Sequence, residues 1–440
     1  MNYCEAIQFL YGLRLFGAKF GLDNTFRLAA LVGNPQDRLH FIHVAGTNGK
    51  GSTCAMLESI YRASGLRVGL FTSPHLVSFR ERIQVDRRMI SEDDVVRLVE
   101  SIRPLLEQFP TAHHPTFFEV VTVMALQFFA EQKCDLVVWE TGMGGRLDAT
   151  NIVTPLASVI TNIALDHQQW LGETLAKIAA EKAGIIKQDV PVVTATDEPE
   201  ALAVIEKIAR DKNAPLFKVG QASSLSPLEK TRKSEAGVTP VPSLTGKHQR
   251  INAAVALATV GILQNQIPVS EKHIREGLAH VNWPGRLQLA QSPGGQKILL
   301  DGAHNVAGAK VLRAALEQNF GGAKYALILG VLRDKDWQHI CEMLAPLAAR
   351  IYTTPVASER TATAGELAEA CRKANPSAAI IACNSLGQAL QKTATGDFIV
   401  IAGSLYLVGE ALEKLGLSPA AGSERDLNEW SLEARHVSAK

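Results

Sequence analysis

The residues with the clearest chemical reading lie in one short run, Phe41-Ile42-His43-Val44-Ala45-Gly46-Thr47-Asn48-Gly49-Lys50-Gly51-Ser52-Thr53. A β-branched stretch leads into a glycine-rich turn and then into a helical pattern carried by Ala55, Met56, Leu57 and Ile60. Glycines let backbone N–H groups turn inward on phosphate oxygens, the start of a helix adds partial positive charge, and Lys50 supplies a point cation. Asn48, Gly49, Lys50, Gly51 and Ser52 are therefore expected to cradle the phosphates of a nucleotide. The run is a variant of the standard loop G-x-x-x-x-G-K-S/T, which would place glycine at Val44 and a hydroxyl residue at Gly51. A purely structural glycine turn is the alternative reading.

Three further residues stand out. Glu140 closes the apolar run Leu136-Val137-Val138-Trp139, and in open parallel sheets ligands gather at the carboxyl ends of strands. A carboxylate there suits magnesium; it also suits a cap on the following turn. Lys182 shares a helical face with Leu175, Ile178 and Ala179 in a helix beginning near Glu173. A lysine on a buried face needs a partner, unless its aliphatic stem carries the ammonium back to water. His167 follows Asp166 and reads either as a ligand or as a turn residue.

These residues are positioned by an alternation of short β-branched runs and helical patterns from residue 41 onward: FIHVA, LVVW, ASVITNIA and VPVVTAT, each followed by helical or glycine-rich sequence. Such alternation predicts right-handed βαβ units, a mostly parallel sheet covered on both faces, and the α/β class. Apolar periodicity fails between Gln221 and Gly246, which reads as a loop or small irregular insertion. Pro and Gly cluster at Gln291-Ser292-Pro293-Gly294-Gly295, just before the strand KILLDGA, so the expected units are 1–290 and 296–440. The second repeats the alternation in YALILGVL, RIYTTPV, AAIIAC and DFIVIAGS. From Ser418 the polar tail reads as frayed helix or coil.

Composition narrows the function classes. With 440 residues, 46% hydrophobic, 20% charged and a formal charge of +1, the chain reads as a soluble globular protein of two domains. Arg80, Arg82, Arg87 and Arg88 are interleaved with Glu81 and Asp86 and followed by Glu92, Asp93 and Asp94, so they read as a solvated charged face rather than a nucleic-acid stripe. The scattered cysteines Cys4, Cys54, Cys134, Cys341, Cys371 and Cys383 form no metal-finger spacing and read as reduced thiols. No run approaches the ~20 apolar residues of a membrane span, and no basic leader opens the chain. A cytoplasmic monomer acting on small molecules, without nucleic acid or membrane partners, is the expectation.

AGTNGKGS resembles the loop of the Mur ligase superfamily, specifically of folylpolyglutamate synthases and dihydrofolate synthases. Further segments agree in order: Thr72-Ser73-Pro74-His75-Leu76, the stretch Glu140 to Asn151, Leu165-Asp166-His167, Glu181-Lys182-Ala183-Gly184-Ile185, His248-Gln249-Arg250-Ile251-Asn252, Pro284-Gly285-Arg286 and Asp301-Gly302-Ala303-His304-Asn305. The resemblance implies Mur ligase architecture, with a P-loop-type ATPase domain followed by a smaller Rossmann-like α/β domain. It implies ATP and magnesium, two ions in all, with Ser73, Glu140 and His167 on one ion and Lys182 carbamylated near the second. It implies that Asn252, Arg286 and Asp301 hold the nucleotide, with Arg286 reaching phosphate. Read without the resemblance, these three are equally a helix residue, a linker surface charge and a turn former, and His304 is open between structure and function.

The reaction so implied joins L-glutamate to a folate precursor. A γ-phosphoryl group passes to the acceptor carboxylate and glutamate's amine attacks the acyl phosphate, a task of positioning and electrostatics around Lys50. Phe20-Gly21-Leu22-Asp23, Thr116-Phe117-Phe118-Glu119 and Leu147-Asp148-Ala149 resemble pterin-side segments of bifunctional bacterial enzymes, which use dihydropteroate as well as reduced folates. Asp23 is shorter by a methylene than the glutamate usual there. Phe117 and Phe118 also read as core residues ahead of the apolar helix Val120 to Phe129. A Mur-type peptidoglycan ligase is the nearest alternative, and the about forty residues before the loop leave no room for its extra amino-terminal domain. A plain P-loop hydrolase or switch is the alternative from another class.

Overall fold

The computed structural model of the chain describes residues 1–17, 21–220, 242–292, 294–320, 325–393, 398–418 and 424–428. Phe20 and most of the expected insertion at 221–246 lie outside these residues. Fourteen strands are named here in chain order. The first sheet takes β1 (Phe41–Ala45), β2 (Val68–Phe71), β3 (Ile83–Val85), β4 (Arg88–Met89), β5 (Leu136–Glu140), β6 (Ala157–Ile160), β7 (Val192–Thr194) and β8 (Leu216–Lys218), in the order β4-β3-β2-β5-β1-β6-β7-β8. Its strands from β2 to β8 pair in parallel, and β3 and β4 add an antiparallel edge.

Every residue of β1, β2 and β5 is buried, as a parallel sheet covered on both faces requires. Side chains alternate between two cores. Phe41, Phe71, Val137 and Trp139 face the helices Tyr3–Gly12, Glu92–Leu106 and Phe117–Glu131. Ile42, Val44, Leu70 and Val138 face the helices Lys50–Ala63, Lys247–Ile262 and Glu271–Ala279. In register, Val44 lies beside Glu140 and Ala45 beside Ile160, so three strands end at one level. The chain leaves β1 and β5 toward opposite sides of the sheet, and that divergence opens a crevice at the carboxyl edge.

The second sheet holds β9 (Gln288–Gln291), β10 (Lys297–Leu300), β11 (Tyr325–Leu329), β12 (Arg350–Thr353), β13 (Ala379–Ala382) and β14 (Phe398–Ala402), in the order β13-β12-β11-β14-β10-β9. One expectation is corrected here. The Pro/Gly cluster at 291–295 does not link the two sheets, because β9 pairs antiparallel with β10 across it. Ser292 N–H donates to Gln296 O at 2.9 Å, closing a hairpin.

Two local structures also differ from expectation. Thr116 and Glu119 form a capping box on the helix Phe117–Glu131: Glu119 N–H donates to Thr116 Oγ1 and Thr116 N–H to Glu119 Oε2 at 2.7 Å. The tail does not simply fray: Glu424–Asn428 is a short 3-10 helix docked on the first sheet's side of the molecule, with Leu427 1% exposed. Among the described residues no helix is long and apolar enough to cross a membrane. Thr116→Ala removes the cap of a largely buried helix and is expected to lower unfolding free energy by about 1 kcal/mol in urea titrations.

Candidate active site

The turn after β1 is shaped by contacts that only glycine allows. Gly46 has φ 149° and Gly49 φ 86°; a Cβ on Gly46 would overlap Thr161 Oγ1, and one on Gly49 would run into Asn252 Oδ1. Asn48 N–H donates to Asn162 Oδ1 at 2.7 Å and Thr47 N–H to Asn162 O at 2.8 Å, pinning the loop to the end of β6. The helix Lys50–Ala63 then begins with its amino end on the crevice. Two ammonium groups converge there. Lys50 Nζ donates to Gly46 O at 3.2 Å and Lys182 Nζ donates to the same oxygen at 2.8 Å. Lys182 is 5% exposed, so its stem does not carry the charge to water. Burial, and then the charge of Lys50, push its pKa down to about 7.

Glu140, at the end of β5, is buried, and burial raises its carboxyl to about 7 against the pull of Lys50 and of the hydrogen bond from Ser73 N–H at 3.1 Å. Ser73 Oγ is buried without a hydrogen-bond partner. A carboxylate short of positive charge beside an unsatisfied hydroxyl oxygen fits a hard divalent cation. Among the described residues no three His, Cys, Asp or Glu side chains cluster closely enough to hold a metal alone. Magnesium does not demand that, since it keeps waters and takes substrate phosphate oxygens. His167 sits in the left-handed region at φ 51°, a strained backbone for a non-glycine residue. Its Nε2 lies 3.4 Å from Lys335 Nζ, so ligation through that nitrogen requires the ammonium to move. Burial lowers its pKa to about 3, leaving it neutral.

The two sheets meet across this edge. Asp166, after β6, accepts from Lys335 Nζ at 2.7 Å, with both side chains 8% exposed. Burial alone would raise the Asp166 carboxyl, but the charge of Lys335, the neighbouring His167 and His304 and the hydrogen bond from Lys335 together outweigh it and hold the carboxyl far below the ordinary carboxylate range. Asn305 Nδ2 donates to Asp166 Oδ2 at 3.0 Å and to Asn48 Oδ1 at 3.0 Å, which ties the phosphate loop itself to the second sheet. Asp301, ending β10, accepts from Leu287 and Ala303 N–H at 2.9 Å each. Arg286 stands beside it with its guanidinium donating to Gly285 O at 3.1 Å. Asn252 Nδ2 donates to Gln249 Oε1 at 2.9 Å, and Gln249 reaches Ser52 Oγ at 3.3 Å.

One cavity of about 480 Å³ joins these groups. Asn48, Gly49, Lys50, Gly51, Ser52, Ser73, Glu140, His167, Lys182, Asn252, Arg286 and Asp301 all line it. So do Gly21, Thr116, Phe117, Phe118, Glu119, Leu147, Asp148 and Ala149, whereas Leu22 and Asp23 do not, and Asp23 is exposed on the helix Asp23–Leu31. Asp148 holds its loop together, accepting from Met143 N–H at 2.8 Å and from Thr150 N–H at 3.1 Å. Phe117 belongs to the core. Several basic residues on the wall escaped the sequence reading, Lys335 and Arg82 among them. Lys335 follows β11, where a charge just past an apolar strand was the available signal. Arg82 is 3% exposed rather than part of a solvated face, because a 3-10 turn at Phe79–Arg82 points it inward.

Comparison with known proteins shows the family of the chain. Residues 44–260 match the Mur ligase middle domain and residues 285–405 the Mur ligase glutamate ligase domain. The chain is 36% identical over 427 residues to the dihydrofolate synthase/folylpolyglutamate synthase of Bacillus subtilis, covering 94% of this chain and 99% of the relative. It is 32% identical over 422 residues to the Escherichia coli protein of the same name, covering 94% and 96%. Among solved structures, folylpolyglutamate synthase from Thermotoga maritima superposes with a TM-score of 0.81 at 34% identity, covering 96% of this chain and 98% of that one. E. coli FolC in complex with DHPP and ADP gives 0.79 at 30% identity, covering 95% and 98%.

The depressed Lys182 pKa has a signed consequence. Between about 7 and the unfolded value of 10.5 the unfolded chain holds a proton that the folded chain has lost, so folding stability rises with pH across that window. In buffer free of carbon dioxide, Lys182→Met is expected to stabilise the fold, by more at about pH 6.5 than at about pH 9. Denaturant unfolding at the two pH values checks this; a gain that grows with pH would contradict it.

Proposed function

The chain belongs to the dihydrofolate synthase/folylpolyglutamate synthase family of Mur ligases, and on that premise we propose that it joins L-glutamate to a pteroate or folate acceptor at the expense of ATP. The observation that carries the reading is the convergence of Lys50 and Lys182 on Gly46 O, inside one cavity with Glu140 and Arg286. Four groups suited to phosphate and its counter-ion then share one cavity of about 480 Å³ with Phe118 and Leu147.

In the proposed reaction a carboxylate oxygen of the acceptor attacks the γ-phosphorus of ATP, the bond to the β,γ-bridging oxygen breaks, and ADP leaves. The neutral amine of glutamate then attacks the acyl carbon, inorganic phosphate departs, and the amine proton passes to solvent. Lys50, the amides of Asn48 to Ser52 and Arg286 stabilise charge on the phosphoryl oxygens, a role of fixed electrostatics rather than covalent catalysis. Ser73 and Glu140 would hold a magnesium ion, and His167 would join them only with Lys335 displaced from its Nε2; the ion would supply neutralisation of phosphate charge. A carbamylated Lys182 would supply an oxygen donor for a second ion: an amine neutral above about pH 7 can add to carbon dioxide with loss of a proton, which would put a carboxylate where a buried cation stood. Asn252 and Asp301 complete the nucleotide site: Asn252 Oδ1 packs on Gly49, and Asp301 sets the turn that presents Arg286. Gly21, Thr116 to Glu119 and Leu147 to Ala149 form the acceptor wall, in which Thr116, Glu119 and Asp148 act through backbone geometry. The junction between the two units falls at residues 284–287, ahead of the β9–β10 hairpin. The enzyme works on small molecules in the cytoplasm.

The test is phosphate release with ATP, magnesium and glutamate, comparing dihydropteroate with tetrahydrofolate. Release that depends on acceptor and glutamate together is expected with at least one of them; ATP hydrolysis indifferent to both would favour a simple P-loop hydrolase. Lys50→Ala is expected to cut turnover by at least about 100-fold, the scale of a lost transition-state donor, and near-normal turnover in that variant would overturn the loop assignment.

A further inference from the structure

Glu424–Asn428 returns from the far end of the chain to the wall of the acceptor cavity, some 340 residues after the segment it meets. Its anchoring is dense. The Glu424 carboxylate accepts from Phe79 N–H at 2.6 Å, Ser78 Oγ at 2.9 Å and Tyr3 OH at 3.0 Å. Leu427 plugs into the core beneath. Asn428 Nδ2 donates to His75 O at 3.0 Å, and its Oδ1 accepts from the Arg82 guanidinium.

Arg82 is the point of this construction. Its Nε donates to His75 Nδ1 at 2.8 Å, which leaves His75 Nε2–H to donate to Glu424 O at 2.8 Å. Its guanidinium lies 5.4 Å from the Phe117 ring centroid. Among the described residues no carboxylate lies within ion-pair distance of it, although it is 3% exposed. A buried guanidinium whose hydrogen bonds go to neutral acceptors, with Glu81 and Glu140 acting on it only from beyond ion-pair distance, is oriented but only partly neutralised. Arg82 and Asn428 both line the cavity that holds Thr116 to Glu119.

We propose that Asn428 is a positioning residue for the acceptor: with His75 and the Glu424 anchor, it aims the Arg82 guanidinium at a carboxylate of the incoming acid. The turn Glu424–Asn428 is thereby part of the acceptor site. The proposal rests on the ligase reading, and its test separates the two.

Asn428→Ala and Asn428→Asp are compared with wild type for KM of acceptor, KM of ATP, kcat and melting temperature. Asn428→Ala releases Arg82 and is expected to raise the acceptor KM roughly tenfold, the worth of one charge-assisted hydrogen bond, with the ATP KM unchanged. Asn428→Asp keeps an acceptor oxygen for Arg82 and places a counter-ion beside it, at the loss of the donor to His75 O, so it is expected to raise the acceptor KM at least as much. An acceptor KM within about twofold of wild type in both variants, rescue by Asp of what Ala loses, or failure of both to fold would each overturn the proposal by making Asn428 a structural brace. A wild type without acceptor-dependent turnover would count against the ligase reading instead.

Discussion

Two ammonium groups on one carbonyl oxygen, those of Lys50 and Lys182 on Gly46, constrain everything built around them. Their distances to that oxygen are 3.2 and 2.8 Å, which keeps them within about 6 Å of each other; at an effective dielectric near 20 such charges repel by roughly 3 kcal/mol. An anion between them, or loss of one proton, relieves that repulsion. A phosphate bound there would do the first, and the carbamylation proposed for Lys182 would do the second. The arrangement persists because the backbone beneath it has few alternatives: Gly46 and Gly49 sit where Thr161 and Asn252 leave no space for a side chain.

The rest of the site follows from that seat of charge. Glu140 is stranded in a buried position where its carboxyl is raised to about 7, a state that a cation on Ser73 Oγ would reverse. The second sheet is joined to the loop by polar contacts, in which Asn305 bridges Asn48 and Asp166 and Lys335 pairs with Asp166, while Val77 makes an apolar contact with its core elsewhere. Breaking one partner of such a buried pair strands the other charge, so docking of the second sheet and integrity of the phosphate loop depend on the same few atoms.

Much of this was legible in the sequence, and the parts that were not share a cause. The loop, the strand alternation and the buried face of Lys182 are local patterns, readable within one element's period. Glu140 was readable because it ends an apolar strand. Thr116-x-x-Glu119 carries a capping-box signature, yet it reads as substrate contact when only family order is considered. Arg82 reads as a solvated charge because its neighbours Arg80, Glu81 and Arg88 are polar, and its burial depends on residues near the opposite end of the chain. The hairpin at 291–295 reads as a linker because Pro and Gly mark both; only pairing of β9 with β10 distinguishes them. Long-range pairing leaves no periodic trace.

The central claim is that phosphate reaches the acceptor's carboxylate before glutamate does. An acceptor carrying oxygen-18 in its carboxylate, turned over with ATP and glutamate, decides it by mass spectrometry of the released phosphate. Phosphate bearing one labelled oxygen per amide formed is the expected result. Unlabelled phosphate released alongside amide product would contradict the account, since the acceptor oxygen would then never have been bonded to phosphorus.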